Sequence, residues 1–345
     1  MPVPSRATSR LSLVATVGVA ALVFLVSLAA MSAIAGWDRV VGGFHAQWSF
    51  FFAVAFASEL AAFASYIFAY RAVAGIEDGP KFSLRDAAAL VAVGFGAFLA
   101  KGGAALDSIV FRKPGDSKTR GEVRVLALDA LEHAPLAPAA CAASIDLLIE
   151  GQRKPGLDFT IPWATLVPLG ALVAFYGVRH RDRFVGRAGW RGKLGQVLGG
   201  IRILFRLAAE WRGYWLAFAG ASVYWAGDVA CLWASLKPFG ATPTLPAIVL
   251  AHAVGYVLTR RTLPLAGAGI VEVLMPLTLV AAGAPFNGAI LGVFTYRFFN
   301  LWLPLIPAVL ALPAVRRRFG FGLDAFSRGV RPAAAPALGE RAADG

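Results

Sequence analysis

Residues 160–178 read TIPWATLVPLGALVAFYGV, and residues 179–191, directly after them, read RHRDRFVGRAGWR. The first stretch is 19 residues without a single charge. A helix rises about 1.5 Å per residue and a bilayer's hydrocarbon core is about 30 Å thick, so this length nearly spans it. The stretch is apolar all round rather than along one stripe, which is the pattern of a helix surrounded by lipid or protein. The second stretch carries Arg179, Arg181, Arg183, Arg187 and Arg191 against one acid, Asp182. An apolar span that stops at a basic cluster marks a membrane helix ending on the positively charged side.

Working outward, the alternation recurs along the chain. Full spans are expected near residues 11–36, 48–70, 124–149, 160–178, 213–236 and 287–313. Hydrophobic residues make up 58% of the chain and charged ones 15%, well below the roughly 25% charge of soluble domains. The fold expected is therefore all-α: a polytopic integral membrane helix bundle. The first apolar stretch follows a basic segment, residues 1–10, and ends near Ala33-Ile34-Ala35, which resembles a signal-peptide cleavage site. It is longer than the ~7–15-residue core of a signal peptide, so it reads as a retained first helix. Cys141 and Cys231 lie in apolar segments and read as small core residues, and no metal-ligand spacing occurs. Neither a metal nor another cofactor is expected.

Two more apolar regions, 86–111 and 246–282, are interrupted by charge and glycine. The first breaks at Lys101-Gly102-Gly103 and carries Asp107. The second breaks at Arg260-Arg261 and continues through Gly267-Ala268-Gly269 to Glu272. Each reads as a broken or re-entrant helical hairpin, with a pair of spans as the alternative. With that assignment 25 of the 33 basic residues fall on one side and only Arg39, Arg153, Lys154 and Lys237 on the other. The positive-inside rule then places both termini in the cytoplasm of an inner (plasma) membrane protein. The net charge of +13 is accounted for by these loops, and nucleic acid is not an expected partner. The hairpins would enter from opposite faces, the arrangement of an inverted repeat. Ala92-Val93-Gly94-Phe95 and Ala253-Val254-Gly255-Tyr256 are its faint trace.

Residues 179–212 form a basic connector. Trp190, Leu194, Val197, Leu198, Ile201, Leu204 and Phe205 recur there at near-helical spacing. An amphipathic helix on the cytoplasmic leaflet, drawn to anionic lipid headgroups, fits this pattern. Residues 316–345 begin basic and become rich in Pro, Ala and Gly, a composition expected to be disordered.

Ionisable groups inside a bilayer are costly and mark sites or paired structural groups. Arg260, Arg261, Glu272 and Arg297 are the strongest candidates. A guanidinium fork matches phosphate oxygens. Glu272 could orient an arginine or answer a cationic headgroup, and Gly267 and Gly269 would let the backbone break its helix. Lys101, Gly102, Gly103 and Asp107 are the first-half counterpart. The competing reading makes Glu272 and Arg297 an ion pair that fixes helix packing. Asp129, Asp228 and His252 read as interior polar groups with structural partners.

The segment Pro264-Leu265-Ala266-Gly267-Ala268-Gly269-Ile270-Val271-Glu272, followed by Tyr296-Arg297-Phe298-Phe299-Asn300-Leu301-Trp302-Leu303-Pro304, resembles the late signature of the lysylphosphatidylglycerol synthase transmembrane region, or flippase-like domain, family. Ala266 stands where the family has the first glycine of a pair, and Pro264 is offset by one position. The resemblance is read over residues 11–315, and its specificity rests on 260–304. It implies a membrane protein that handles lipids, with residues 1–10 and 316–345 as flanks. The family's best-known members also carry a cytosolic aminoacyltransferase. This chain runs only about 30 residues past its last span, so lysyl transfer is not expected. No phosphate-binding G-x-x-x-x-G-K-[ST] loop, H-E-x-x-H or G-x-S-x-G occurs. The expected function is transport of a membrane phospholipid or lipid-linked amphiphile, without catalysis. The alternatives are a non-catalytic subunit of a cell-envelope pathway and a lipid-modifying transferase. A homo-oligomer or an envelope-pathway partner fits either non-enzymatic reading.

Overall fold

The computed structural model describes residues 6–43, 50–97, 103–149, 157–185, 189–256 and 267–319. Among these residues there are helices and turns and no strand. The helices are α1 (Arg6–Ala35), α2 (Trp37–Gly43), α3 (Phe50–Gly75), α4 (Leu84–Ala97), α5 (Gly103–Val110), α6 (Lys118–Ile149) and α7 (Leu157–Arg179), followed by α8 (Gly189–Ala209), α9 (Trp211–Leu236), α10 (Leu245–Tyr256), α11 (Val271–Ala281), α12 (Phe286–Arg297) and α13 (Leu305–Phe319).

Among the described residues, five stretches are long and apolar enough to cross a membrane: Gly18–Ala35, Phe50–Gly75, Phe159–Arg179, Trp211–Phe239 and Phe286–Phe319. The outer surface agrees with that. Leu166, Leu169, Leu172, Val173, Phe175 and Tyr176 of α7 are each more than half exposed, an apolar patch that water would penalise and lipid would not. The sixth expected span is α6. Its 32 residues are ample, but it carries Arg124, Asp129, Glu132 and two internal prolines, and it is packed against α3, α5, α7, α8, α9 and α10. Helical neighbours, rather than lipid, surround Arg124 and Glu132, which are 2% and 0% exposed. The all-α polytopic bundle read from the sequence is the fold observed.

Both interrupted regions are pairs of short helices that pack on each other, α4 with α5 and α10 with α11. At 1.5 Å per residue, the 12 residues of α10 and the 11 of α11 reach only about half-way across hydrocarbon. Gly255 makes that second pairing close, because a Cβ there would lie 2.7 Å from the Met275 methyl. The connecting residues 98–102 and 257–266 lie outside the described residues.

The tightest pairing is α3 on α9. Ala55, Ala62 and Ala69 on α3 are fully buried and spaced by seven, and Gly220 and Gly227 on α9 keep the same spacing. Small residues at a seven-residue interval let two helix backbones approach. A Cβ on Gly220 would stand 2.6 Å from the Ser65 carbonyl oxygen, and one on Gly227 would stand 2.7 Å from that of Ser58.

Arg124, counted as a loop charge in the sequence, is 2% exposed. It donates to the carbonyls of Ile76, Glu77 and Phe111 and to the Asp116 carboxylate at 2.7 Å, tying the ends of α3 and α5 to the start of α6. The connector helix α8 forms as expected. It packs mainly on α6, sets Leu198 against Gly177 of α7, buries Ile203 and Leu207, and leaves Trp190, Val197 and Phe205 exposed. The last helix continues past residue 315 through Arg316, Arg317 and Arg318 to Phe319, because α13 is held against α4 and Arg318 meets Asp86 at 2.8 Å.

Candidate functional site

α11 starts after a tight turn in which Gly267 and Gly269 take φ values of 69° and 88°. Those left-handed conformations cost a glycine little and a residue with a Cβ considerably more. A Cβ on Gly269 would also stand 2.9 Å from Val23 of α1. The turn points the Gly269 amide at Glu272 Oε2, 2.6 Å away, so the carboxylate satisfies a free donor at its own helix start and sits in the favourable field of that terminus. Its other oxygen accepts from Arg297 Nε at 2.6 Å. Both side chains are buried, at 0% and 1% exposure.

The position of Arg297 at the end of α12 follows from the next turn. Residues Phe298–Trp302 form a π-helical turn, with the Leu303 amide donating to the Phe298 carbonyl five residues back. Pro304, which has no amide hydrogen, follows immediately, and such a ladder shift is a common accommodation. The π turn rotates Asn300 inward. Its amide donates to Asp228 Oδ1 at 2.8 Å and lies 3.5 Å from Glu59 Oε1. The Tyr256 hydroxyl donates to the Asn300 side-chain carbonyl and receives Arg297 Nη1 at 3.4 Å. Asp228 also accepts from the Tyr296 hydroxyl at 2.9 Å and faces His252 Nε2 at 3.1 Å. The Tyr256 ring stacks on the His252 ring at 4.9 Å, 5° from parallel.

A continuous buried polar network therefore runs from Glu272 and Arg297 through Tyr256 and Asn300 to Asp228, His252, Tyr296 and Glu59. Its members come from α3, α9, α10, α11, α12 and the π turn. Trp225 borders it, with its ring 5.3 Å from His252 and its indole N–H donated to the Glu132 carbonyl of α6. Beyond Trp225 lies a second polar cluster. There the Tyr66 hydroxyl donates to Glu132, and the Tyr70 hydroxyl donates to Asp107 at 2.8 Å.

One apolar recess reaches the network, and another reaches its border at Trp225. The first, about 290 Å³, is lined by Phe56, Leu60, Phe63, Phe299 and Ile306 with Glu59 in its wall. Phe56, Leu60 and Ile306 are exposed on the outer apolar surface, so this recess opens where lipid would lie. The other, about 530 Å³, is bounded by Leu136, Trp225, Val229, Trp233 and Val249. Among the described residues no cluster of His, Cys, Asp and Glu could hold a metal ion.

Of the residues singled out in the sequence, Gly267, Gly269, Glu272 and Arg297 share one site. Asp107 sits in the second cluster with Tyr70, and Gly103 opens α5. Arg260, Arg261, Lys101 and Gly102 lie outside the described residues. Sequence reasoning passed over Glu59 and named Tyr256, Tyr296 and Asn300 only within motifs, without a role. It gave Asp228 and His252 structural partners without pairing them with each other. The available signal for Glu59 was a single acid in the 26-residue apolar helix α3, a costly placement without a partner. The tyrosines and Asn300 carry no such signal.

No curated protein sequence matches the chain. Residues 126–308, more than half of its length, match the family model described as the lysylphosphatidylglycerol synthase TM region, a stretch that takes in α9 to α12 and with them every network residue above except Glu59. The chain belongs to that family of lipid-related membrane proteins.

Proposed function

We propose that the chain transports a phospholipid or lipid-linked amphiphile between leaflets, as a non-enzymatic carrier. The headgroup, anionic or zwitterionic, would exchange hydrogen bonds with the Glu272–Arg297 network while the acyl chains stay in an apolar recess. The observation that carries this reading is the recess between α3 and α13, which joins the outer apolar surface to Glu59 and thereby to a fully buried ion pair. Carrying a charge through hydrocarbon is prohibitively costly unless polar partners accompany it. Arg260 and Arg261 would add phosphate-binding forks from the neighbouring break. The exposed side of α8, with the basic residues of 179–212, would rest on anionic headgroups at the cytoplasmic face of an inner membrane, with both termini on that side.

The second reading, a packing role for the ion pair, has its own support in the Glu272 contact to Gly269 N. Translocation of NBD-labelled phosphatidylglycerol, measured by dithionite quenching in vesicles of phosphatidylcholine and phosphatidylglycerol, separates the two. The transport reading expects lipid movement above empty vesicles and its loss in Glu272→Gln and Arg297→Lys when activity is scored per folded protein. Absence of movement with well-folded wild-type protein refutes it.

A further inference from the structure

His252 is fully buried, and its two ring nitrogens are treated differently by the fold. Nε2 lies 3.1 Å from Asp228 Oδ2 and 3.3 Å from the Tyr296 hydroxyl oxygen. Tyr296 spends its proton on Asp228 Oδ1, so the proton between ring and carboxylate sits on Nε2. Nδ1 is then a bare lone pair, and among the described residues it has no hydrogen-bond partner. The Asp228 carboxylate 3.1 Å from Nε2 is the counter-ion that a buried imidazolium would need, and imidazole is the side chain that takes up a proton near neutral pH.

We infer that His252, paired with Asp228, is a proton-binding site, and that proton binding there drives the transport cycle. The step forms one N–H bond at Nδ1 and breaks one O–H bond of hydronium, which leaves as water. It turns a neutral imidazole facing a carboxylate into an imidazolium–carboxylate pair, and release of the proton on the far side restores the start. The groups that face this site agree with the assignment. On α9, Asp228 is the direct counter-ion and Cys231 lies one turn on. On α12 and α10 the tyrosines Tyr296 and Tyr256 are donors and stacking partners. Glu59 of α3 is one hydrogen bond further, through Asn300. Glu132 and His133 of α6 stand behind Trp225. Arg297 and Glu272 reach the site through Tyr256 and Asn300. The charge on His252 is therefore felt, through Asp228, by the same Asn300 that links to the proposed headgroup pair.

This inference rests on the transport reading, and two measurements keep their failures apart. In the proteoliposome assay, one proton per cycle predicts that a gradient of about one pH unit shifts the steady-state leaflet distribution of the labelled lipid about tenfold. His252→Gln and Asp228→Asn should abolish that accumulation. Lipid movement that only equilibrates, indifferent to the gradient, overturns proton coupling and leaves transport standing. No lipid movement at all overturns transport, and coupling with it. The site itself is read without transport by NMR of the detergent-solubilised chain labelled with ¹⁵N-histidine. The chain has four histidines, and the His252 signals are those lost in His252→Gln. A signal from protonated Nδ1 on acidification is the expected result. An imidazole that keeps one neutral tautomer throughout the titration overturns the site.

Discussion

Replacing Gly227 by alanine tests the seam that holds the polar network together. The new Cβ would stand 2.7 Å from the Ser58 carbonyl oxygen and 3.0 Å from Ala62 Cβ, where ordinary contact begins at 3.4 Å. The first neighbour is backbone and cannot rotate away, so α3 and α9 must separate by about 0.7 Å, the difference between those distances. Overpacking of this kind costs about 1–3 kcal/mol. Alanine also gains up to about 1 kcal/mol of helix propensity over glycine, so the control must carry that gain without the clash. Gly170→Ala in α7 does, because nothing lies within 4 Å of its Cβ. The difference between the two variants then isolates the seam. It should appear as an apparent unfolding temperature a few degrees lower for Gly227→Ala, at about 2–4 °C per kcal/mol. A thiol-reactive dye reporting on buried Cys231 is a suitable readout. Function should suffer as well. Gly227 adjoins Asp228 and Ser58 adjoins Glu59, so the same displacement carries Glu59 away from Asn300, already at the 3.5 Å limit. Equal melting and equal lipid movement in the two variants would refute the reasoning.

Two other predictions follow from the buried charges. Glu272→Gln or Arg297→Met alone strands a buried partner and should destabilise by about 3–5 kcal/mol, whereas the Glu272→Leu/Arg297→Met pair should recover most of that loss in a melting assay; a double variant as unstable as the singles contradicts this. Asp116 is held well below its ordinary 3.8, first by the hydrogen bond from Arg124, then by the Lys113 amide and by Arg120. A depressed carboxyl stabilises the fold fully above its unfolded value and progressively less below it, so Asp116→Asn should unfold more readily than wild type at neutral pH, with the gap closing as pH falls below about 3.8; a gap that persists in acid speaks against the clasp.

The parts of this molecule legible in its sequence are those set by one helix at a time. Apolar length fixes a span, and residues 160–178 need no partner to be recognised as one. Glycines beside a lone acid fix a break, and Gly267, Gly269 and Glu272 announce their turn locally. Even the 25-residue step from Glu272 to Arg297 is legible, because two opposite charges in apolar surroundings have few other ways to be neutralised. What stays hidden is set between helices. Ala62 and Gly227 look like filler until α3 and α9 are side by side. Asn300 faces inward only because the ladder slips into a π turn ahead of Pro304, and no composition rule indicates that rotation. Arg124 reads as a loop charge because hydropathy cannot register three backbone carbonyls and a carboxylate arriving from elsewhere. The same limit explains why Asp228 and His252 looked like separate interior groups: a buried acid or base acquires its chemistry from the partner opposite, and here the partners lie on different helices, 24 positions apart.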